Sequence, residues 1–246
     1  MFSKLIEEFS GLSPSKQALI IAAGVGTVAV GATGAYYIKK RLDNTPPKQW
    51  RRVGEINEIY VYPVKSCAPV RMSRVYCTDL GAKRHLLRDR IFMVVNPNGK
   101  WVTARQKPKM VLIQPQFDEE YQTMTLSAPG MDDIKIQIDE LFEHESVKSV
   151  VWGETVPTVD CGDEVAKWFS TYLLDKPDGY RLRFYPMNKT SRKINDEDSG
   201  ALHDETSYML FNTATVEDLN TRLEQKVTVL QFRPSFVVKG PPAYAE

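Results

Sequence analysis

Short stretches in which apolar and polar residues alternate recur along most of the chain and predict a protein built mainly from β-strands. The alternation is clearest in residues 56–62, 123–128 and 134–138, while apolar runs at 90–96 and 147–152 are bounded by turn residues. Period-two alternation is typical of a strand with one buried face. Further strands are predicted at 100–104, 110–114, 181–185, 207–212, 227–230 and 236–238.

Two segments have the period of a helix instead. Residues 163–174 place their apolar side chains on one helical face, and residues 215–224 do the same with Thr215 as the predicted N-cap. Many strands and few helices favour a β-barrel or sandwich over a doubly wound sheet. The predicted fold class is therefore α+β, mainly β.

Residues 18–38 form an uncharged apolar run that predicts a transmembrane helix. At about 1.5 Å per residue such a helix spans about 30 Å, the thickness of a hydrocarbon core. A cleaved signal peptide and a buried soluble helix are the alternatives. The basic residues that follow, within the predicted linker 39–52, favour an anchor with the body facing the cytosol, preceded by a tail at residues 1–17.

Charge and cysteine content narrow the possible functions. The formal net charge is +1, which gives no global attraction for nucleic acid. The three cysteines, Cys67, Cys77 and Cys161, form no C-x-x-C motif, so neither a disulfide framework nor a tetrahedral zinc site is predicted. A reducing compartment fits this cysteine usage best.

Cationic and hydroxyl side chains mark four separate strand ends. They are Lys65 with Ser66 in YPVKSC, Arg90 in RDR, Thr206 with Ser207 in HDETS, and Arg233 in FRPS. Arginine forms bidentate contacts to phosphate, lysine acts as a point charge, and hydroxyl groups add hydrogen bonds. Gathered together, these groups would bind a small polyanion. Each of them alone is more often a solvated surface residue or a turn former than a ligand.

Six motifs, in this order, resemble the mitochondrial amidoxime-reducing component family, whose members are MOSC proteins of the outer mitochondrial membrane. The motifs are IYVYPVKSC, LLRDRIFMVVN, WVTARQKPKMVLI, VDCGDEVAKWFS, TSYMLFNTATVEDLNTRLE and LQFRPSFVVKG. The resemblance implies an N-terminal MOSC β-barrel domain over residues 53–175 and the start of a second MOSC β-barrel domain over residues 176–246.

The resemblance also implies an activity and a set of site residues. Such enzymes use the pterin molybdenum cofactor to reduce N-hydroxylated compounds, with electrons from NADH through cytochrome b5 reductase and cytochrome b5. At the level of the domain, pyridoxal phosphate binding is implied as well. The residues expected to hold the pterin cofactor are Lys65, Ser66, Arg90, Thr206, Ser207 and Arg233.

Two departures from the family pattern leave the activity of this chain open. Family members commonly carry Asn where this chain has Ser235, and the family's molybdenum-binding cysteine lies in a stretch beyond Glu246. We therefore expect a fragment or short isoform with an incomplete metal site, no metal ligand among its own residues and no assigned catalytic residue. The rival hypothesis is a catalytically silent, membrane-tethered binding or scaffold protein; a third is a membrane-bound module without cofactor.

Overall fold

A computed structural model of the chain describes residues 10, 13, 15–17, 33–39, 41, 49–190 and 200–245. The chain separates into two compact units, Met1–Arg52 and Val53–Glu246. Whether the second unit divides near residue 175, as the sequence suggests, stays a prediction.

The predicted transmembrane helix falls mainly outside the described residues. Of residues 18–38, only 33–38 are described, and they are helical and exposed. Among the residues that the structure describes, no helix has the length and apolar character needed to span a membrane. The anchor therefore stays a prediction from the sequence.

Strands dominate the Val53–Glu246 unit. In chain order they are β1 (Glu55–Val61), β2 (Val70–Met72), β3 (Tyr76–Thr78), β4 (Gly81–Arg84), β5 (Leu87–Arg88), β6 (Phe92–Val95), β7 (Gln114–Phe117), β8 (Thr123–Ser127), β9 (Ile134–Gln137), β10 (Ser146–Val151), β11 (Glu154–Asp160), β12 (Arg181–Phe184), β13 (Leu210–Asn212) and β14 (Phe236–Lys239). The predicted β-rich character is confirmed.

The predicted closed barrels are not found among the described residues. The strands instead form four open sheets, with the orders β13-β14-β1-β2, β10-β11-β12-β6, β3-β4-β5 and β7-β8-β9. Most neighbours are antiparallel, but β13 runs parallel to β14. Several strands have only two to four residues, as in β3 and β5, and strands this short pair with few neighbours.

Two helices accompany the sheets, α1 (Asp163–Leu174) and α2 (Thr213–Asn220). The predicted bounds and apolar face of α1 are confirmed, since Val165, Trp168 and Phe169 are among its buried residues. The predicted start of α2 is wrong, because Asn212 is the N-cap and its side chain accepts a hydrogen bond from the Ala214 amide.

Three predicted strands differ from the structure. Residues 110–114 and 227–230 overlap the 3-10 helices Pro108–Leu112 and Val229–Phe232, and residues 100–104 form only isolated bridges at Lys100 and Trp101. A third 3-10 helix spans Glu140–Glu143.

The main hydrophobic core joins the β6–β12 sheet to α1 and the β7–β9 sheet. Phe92, Phe184 and Phe169 are fully buried in it, and the rings of Phe92 and Phe184 lie 5.0 Å apart. Tyr60, Tyr62 and Val237 form a smaller cluster under the β1–β14 pair. This second cluster lies directly beneath the segment after β1, where the first candidate site residues occur.

Candidate functional site

Strand topology brings three of the four segments that carry predicted site residues to one end of the β13-β14-β1-β2 sheet. Ile59 of β1 pairs with Phe236 of the antiparallel β14, and Leu210 of the parallel β13 pairs with the same Phe236. The end of β1 and the starts of β13 and β14 therefore meet. Arg90 is tied to the same place, because its amide donates to the Tyr62 carbonyl at 2.7 Å.

These segments line a cavity of about 470 Å³, inside the range of about 300–1,000 Å³ typical of small-molecule sites. Five of the six predicted site residues line it: Lys65, Ser66, Arg90, Thr206 and Arg233. The other lining residues are Thr103, Ala104, Arg105, Val111, Asp204, Glu205, Tyr208, Met209 and Phe232. One cavity thus combines four cationic side chains, two acidic ones and an apolar side.

Ser207, the sixth predicted residue, does not line this cavity. Its side chain is buried and its hydroxyl donates to the Asp79 carbonyl oxygen at 2.5 Å. Ser235, the departure noted in the FRPS motif, is buried too, and its hydroxyl oxygen accepts from the Met209 amide at 3.3 Å. Both hydroxyl groups therefore support the loops that form the cavity.

Arg233 is held in the cavity wall with one guanidinium nitrogen unsatisfied. Its Nη1 donates to the Cys67 carbonyl oxygen at 2.8 Å, and its guanidinium lies 4.2 Å from the centre of the Tyr62 ring. The buried Nη2 has no hydrogen-bond partner in the described part of the chain. Burial and the nearby charge of Arg90 lower the pKa of Arg233. An anion in the cavity would stabilise its charged form.

Lys65 is buried, with a side-chain exposure of 5 %. Its Nζ donates to the Leu202 carbonyl oxygen at 2.7 Å and forms an ion pair with Asp204. It also lies 5.1 Å from the centre of the Trp101 ring. Burial alone would raise the pKa of Asp204, but the positive charge of Lys65 outweighs it and the pKa is lowered. Asp204 therefore stays ionised as the counter-ion of Lys65.

Arg90 is matched by a buried carboxylate, that of Asp89, which precedes it in the chain. Asp89 also contacts His203 and the Tyr62 amide. Burial would raise the pKa of Asp89, yet Arg90 and the hydrogen bonds from its other partners bring the pKa below its usual value. The guanidinium of Arg90 lies 5.2 Å from the Tyr62 ring centre, so Arg90 and Arg233 both contact that ring.

Backbone geometry also marks these loops. Ser66, Arg90 and Arg233 have φ angles of 70°, 47° and 56°. Residues other than glycine rarely adopt this left-handed conformation, which concentrates at ligand sites because the surrounding structure must hold it in place.

Sequence reasoning left three groups of the site unassigned. Arg105 lines the cavity and lies in the quoted WVTARQ motif, and its guanidinium is 5.9 Å from the ring centres of both Trp101 and Trp152. Asp204 also lines the cavity, whereas Asp89 pairs with Arg90 without lining it. The available signal for Asp89 was its place beside Arg90 in the sequence, but Asp204 is 139 positions from Lys65 and its pairing has no local signal.

None of the cysteines belongs to a metal-binding cluster among the described residues, in which no group of three or more potential metal ligands occurs. Cys67 is buried, and burial raises its pKa to about 12. Cys161 is buried with a pKa raised well above its usual value, and Cys77 is exposed. The prediction that none of the three is a metal ligand stays a prediction.

The donor set fits the phosphate end of a pterin cofactor. A phosphate oxygen can accept from the unsatisfied Nη2 of Arg233, and Arg105 adds a second guanidinium at the same cavity. The hydroxyl of Ser66 and the apolar side chains of Met209 and Phe232 provide the mixed lining that a heterocycle requires.

Comparison with known proteins identifies the class and then the family. Residues 53–176 match the family model of the MOSC N-terminal beta barrel domain. The chain is 34% identical to rat mitochondrial amidoxime reducing component 2, over 92% of this chain and 68% of that protein. It is 33% identical to human mitochondrial amidoxime-reducing component 1, over 99% and 73% respectively. The chain therefore belongs to the mitochondrial amidoxime-reducing component family, as its motifs predict.

Among solved structures, a Bordetella bronchiseptica protein studied in solution is 22% identical, with a TM-score of 0.35 over 47% of this chain and 91% of that one. A likeness at that level adds nothing to the assignment.

Proposed function

We propose that the cavity binds the phosphate-bearing pterin of the molybdenum cofactor and that the protein acts as a MOSC-type oxidoreductase. The observation that carries the proposal is the convergence of four cationic side chains on one cavity, with the buried Nη2 of Arg233 unsatisfied within the described residues. Family membership supports the choice of a pterin over other polyanions. Pyridoxal phosphate binding stays a prediction at the level of the domain.

Each cavity residue has a distinct part in this proposal. Arg233 and Arg105 bind the phosphate oxygens, and Arg90 adds positive charge from a position fixed by Asp89. The hydroxyl groups of Ser66 and Thr206 hydrogen-bond the pterin, as does Lys65, whose partner Asp204 is exposed enough to move. The Thr206 hydroxyl now donates to the Tyr208 carbonyl oxygen at 3.0 Å and would turn toward the ligand.

When bound, the cofactor supplies a redox-active molybdenum that reduces N-hydroxylated compounds such as amidoximes. Electrons reach it from NADH through cytochrome b5 reductase and cytochrome b5. The protein is anchored in the outer mitochondrial membrane by residues 18–38, with its body in the cytosol. The relatives' names, which place those proteins in mitochondria, support this location, as does the uncharged run followed by basic residues.

Cofactor content of the purified chain tests the proposal. The full chain and its Arg90→Ala variant are produced in cells that make the cofactor, and pterin is measured by fluorescence after acid oxidation. The wild-type chain should retain pterin and Arg90→Ala should lose it. Arg71→Ala is the matched control, since Arg71 forms an exposed ion pair with Glu58 on β2 and β1.

Metal analysis of the same samples separates the two functional hypotheses. Pterin with molybdenum supports the oxidoreductase, whereas pterin without molybdenum assigns the silent, membrane-tethered binding protein. Wild-type chain without pterin would contradict both. Carbonate extraction of membranes should leave the protein in the pellet, and its release would contradict the anchor.

A further inference from the structure

The Asp89 carboxylate gathers three donors from separate parts of the chain. Its Oδ1 accepts from the Tyr62 amide at 2.6 Å, and its Oδ2 contacts both the Arg90 guanidinium and His203 Nε2, the latter at 2.8 Å. Asp89 is fully buried and His203 is 1 % exposed. Because a buried carboxylate is stable only when its oxygens are satisfied, these donors have little freedom to move.

His203 fits its position because two glycines make room for it. Gly81 and Gly200 have φ angles of 99° and 151°. A Cβ added to Gly81 would lie 3.1 Å from both Asp89 Cβ and His203 Nε2, and one added to Gly200 would lie 3.1 Å from His203 Nδ1. The imidazole is therefore enclosed on two sides and held in one orientation.

The protonation state of the pair follows from its surroundings. Burial lowers the pKa of His203, although Asp89 acts in the opposite direction, so the ring is neutral at pH 7. Asp89 is ionised and can only accept. The hydrogen of His203 is therefore assigned to Nε2, which donates to Asp89.

The pair is connected to two cations of the cavity wall, the half-buried Arg90 and the buried Lys65. Asp89 holds Arg90 directly. His203 lies between Leu202 and Asp204, whose carbonyl and carboxylate oxygens both accept from Lys65 Nζ. A displaced His203 would move both acceptors, and with them the Lys65 ammonium.

We propose that Asp89 and His203 are positioning residues of the anion pocket, which set the placement of Arg90 and Lys65 without contacting the ligand. Neither of them lines the cavity. The inference rests on the proposed function for the identity of the ligand, but it concerns any phosphate bound there. The purely structural alternative is that the pair stabilises the fold and has no effect on binding.

Inorganic phosphate is the probe, titrated calorimetrically into the full chain and two His203 variants. His203→Leu removes one of the two donors to Asp89 Oδ2. Phosphate should then bind about tenfold more weakly, the lower end of the loss seen when a partner that orients a metal ligand is removed. His203→Gln places an amide NH₂ near the position of Nε2 and should recover most of the affinity. Asp160→Asn is the control, because Asp160 pairs with Arg181 and Arg183 outside the cavity. It should lower the melting temperature and leave phosphate binding unchanged.

Equal phosphate affinity in folded His203→Leu and wild-type chain would overturn the inference, as would wild-type chain that binds no phosphate. If His203→Leu does not fold, His203→Ser replaces it. Failure of both to fold would establish the purely structural alternative and overturn the inference too. Pterin content is measured separately on the same samples. A chain that binds phosphate through this network but retains no pterin refutes the proposed function and leaves the positioning role intact.

Discussion

Replacing Arg233 by methionine should separate ligand binding from stability. In the wild-type chain Arg233 is half-buried, its guanidinium donates one hydrogen bond to the Cys67 carbonyl oxygen at 2.8 Å, and its buried Nη2 is unsatisfied in the described structure. Losing that bond and leaving the carbonyl unsatisfied costs about 1–3 kcal/mol. Removing a poorly compensated buried charge returns a similar amount, since replacing buried charged groups by apolar ones is often neutral or stabilising by about 1–4 kcal/mol.

The left-handed backbone at Arg233, with φ of 56°, is common to both proteins and cancels in the comparison. The methionine side chain retains contact with the Tyr62 ring. The free energy of unfolding should therefore stay within about 1 kcal/mol of wild type, which is a change in melting temperature of about 2–4 °C for a chain of this size. Binding should suffer far more. Each charge-assisted hydrogen bond contributes about 1.5–3 kcal/mol, so phosphate affinity should fall about 10- to 100-fold.

Urea denaturation and phosphate calorimetry on the same samples measure both quantities. Arg183→Met is the matched control, because Arg183 is also half-buried but forms an ion pair with Asp160 outside the cavity. It should lose stability and keep its phosphate affinity. A loss of more than about 3 kcal/mol in Arg233→Met, the range for a broken buried ion pair, would identify Arg233 as a structural residue and refute the reasoning.

Three further outcomes are expected. In thermal melts, Gly81→Ala should lower the free energy of unfolding by about 1–3 kcal/mol more than Gly130→Ala does. Of these two sites, only Gly81 has neighbouring side chains that the new Cβ would meet. Both substitutions share the strain of a positive φ angle, about 1–2 kcal/mol. The pKa of Asp160 is lowered by its arginine partners against the effect of burial. Ionised Asp160 therefore stabilises the fold above its unfolded pKa of about 3.9, and this contribution is lost as pH falls through the lower folded pKa. In urea titrations, Asp160→Asn should lose stability less steeply than wild type below about pH 4. A thiol reagent at pH 8 should label exposed Cys77 rapidly and spare Cys67, whose pKa is about 12, until the chain unfolds; fast labelling of Cys67 would contradict its burial.

The period of apolar residues in the sequence predicts correctly those helices and strands that bury one face along their whole length. The face of α1 is continuous, so its bounds follow from the sequence. Short apolar runs were ambiguous, and the 3-10 helix Val229–Phe232 was predicted as part of a strand. Its start was nonetheless marked in the sequence, since Thr228 and Gln231 form a capping box. The strand-rich pattern favours a barrel or sandwich and the resemblance implies two barrels, but pairing between distant strands has no local signal that could test either.

The sequence predicts three of the four cavity cations, all but Arg105, and does not predict the partners that come from distant parts of the chain. Lys65, Arg90 and Arg233 follow or precede strands and carry a visible charge pattern, and the cavity brings them together. The contact between Asp89 and His203 has no local signal in the sequence, because the two residues are 114 positions apart and only tertiary packing brings them together. Ser207 is predicted together with its neighbour Thr206, but its hydroxyl donates to the Asp79 carbonyl oxygen and does not reach the cavity.

The cations of the cavity differ in how readily they can bind an incoming anion, because the carboxylates that pair with them differ in mobility. Lys65 is paired with Asp204, whose side chain is 57 % exposed and can swing into water when a ligand arrives. Arg90 is paired with Asp89, which is 1 % exposed and bound by two further donors, so this pair cannot separate. A phosphate must therefore displace a carboxylate to gain Lys65 but shares Arg90 with its partner. Arg233 has no carboxylate partner among the described residues and offers its charge without competition, which is why the largest binding loss is expected there.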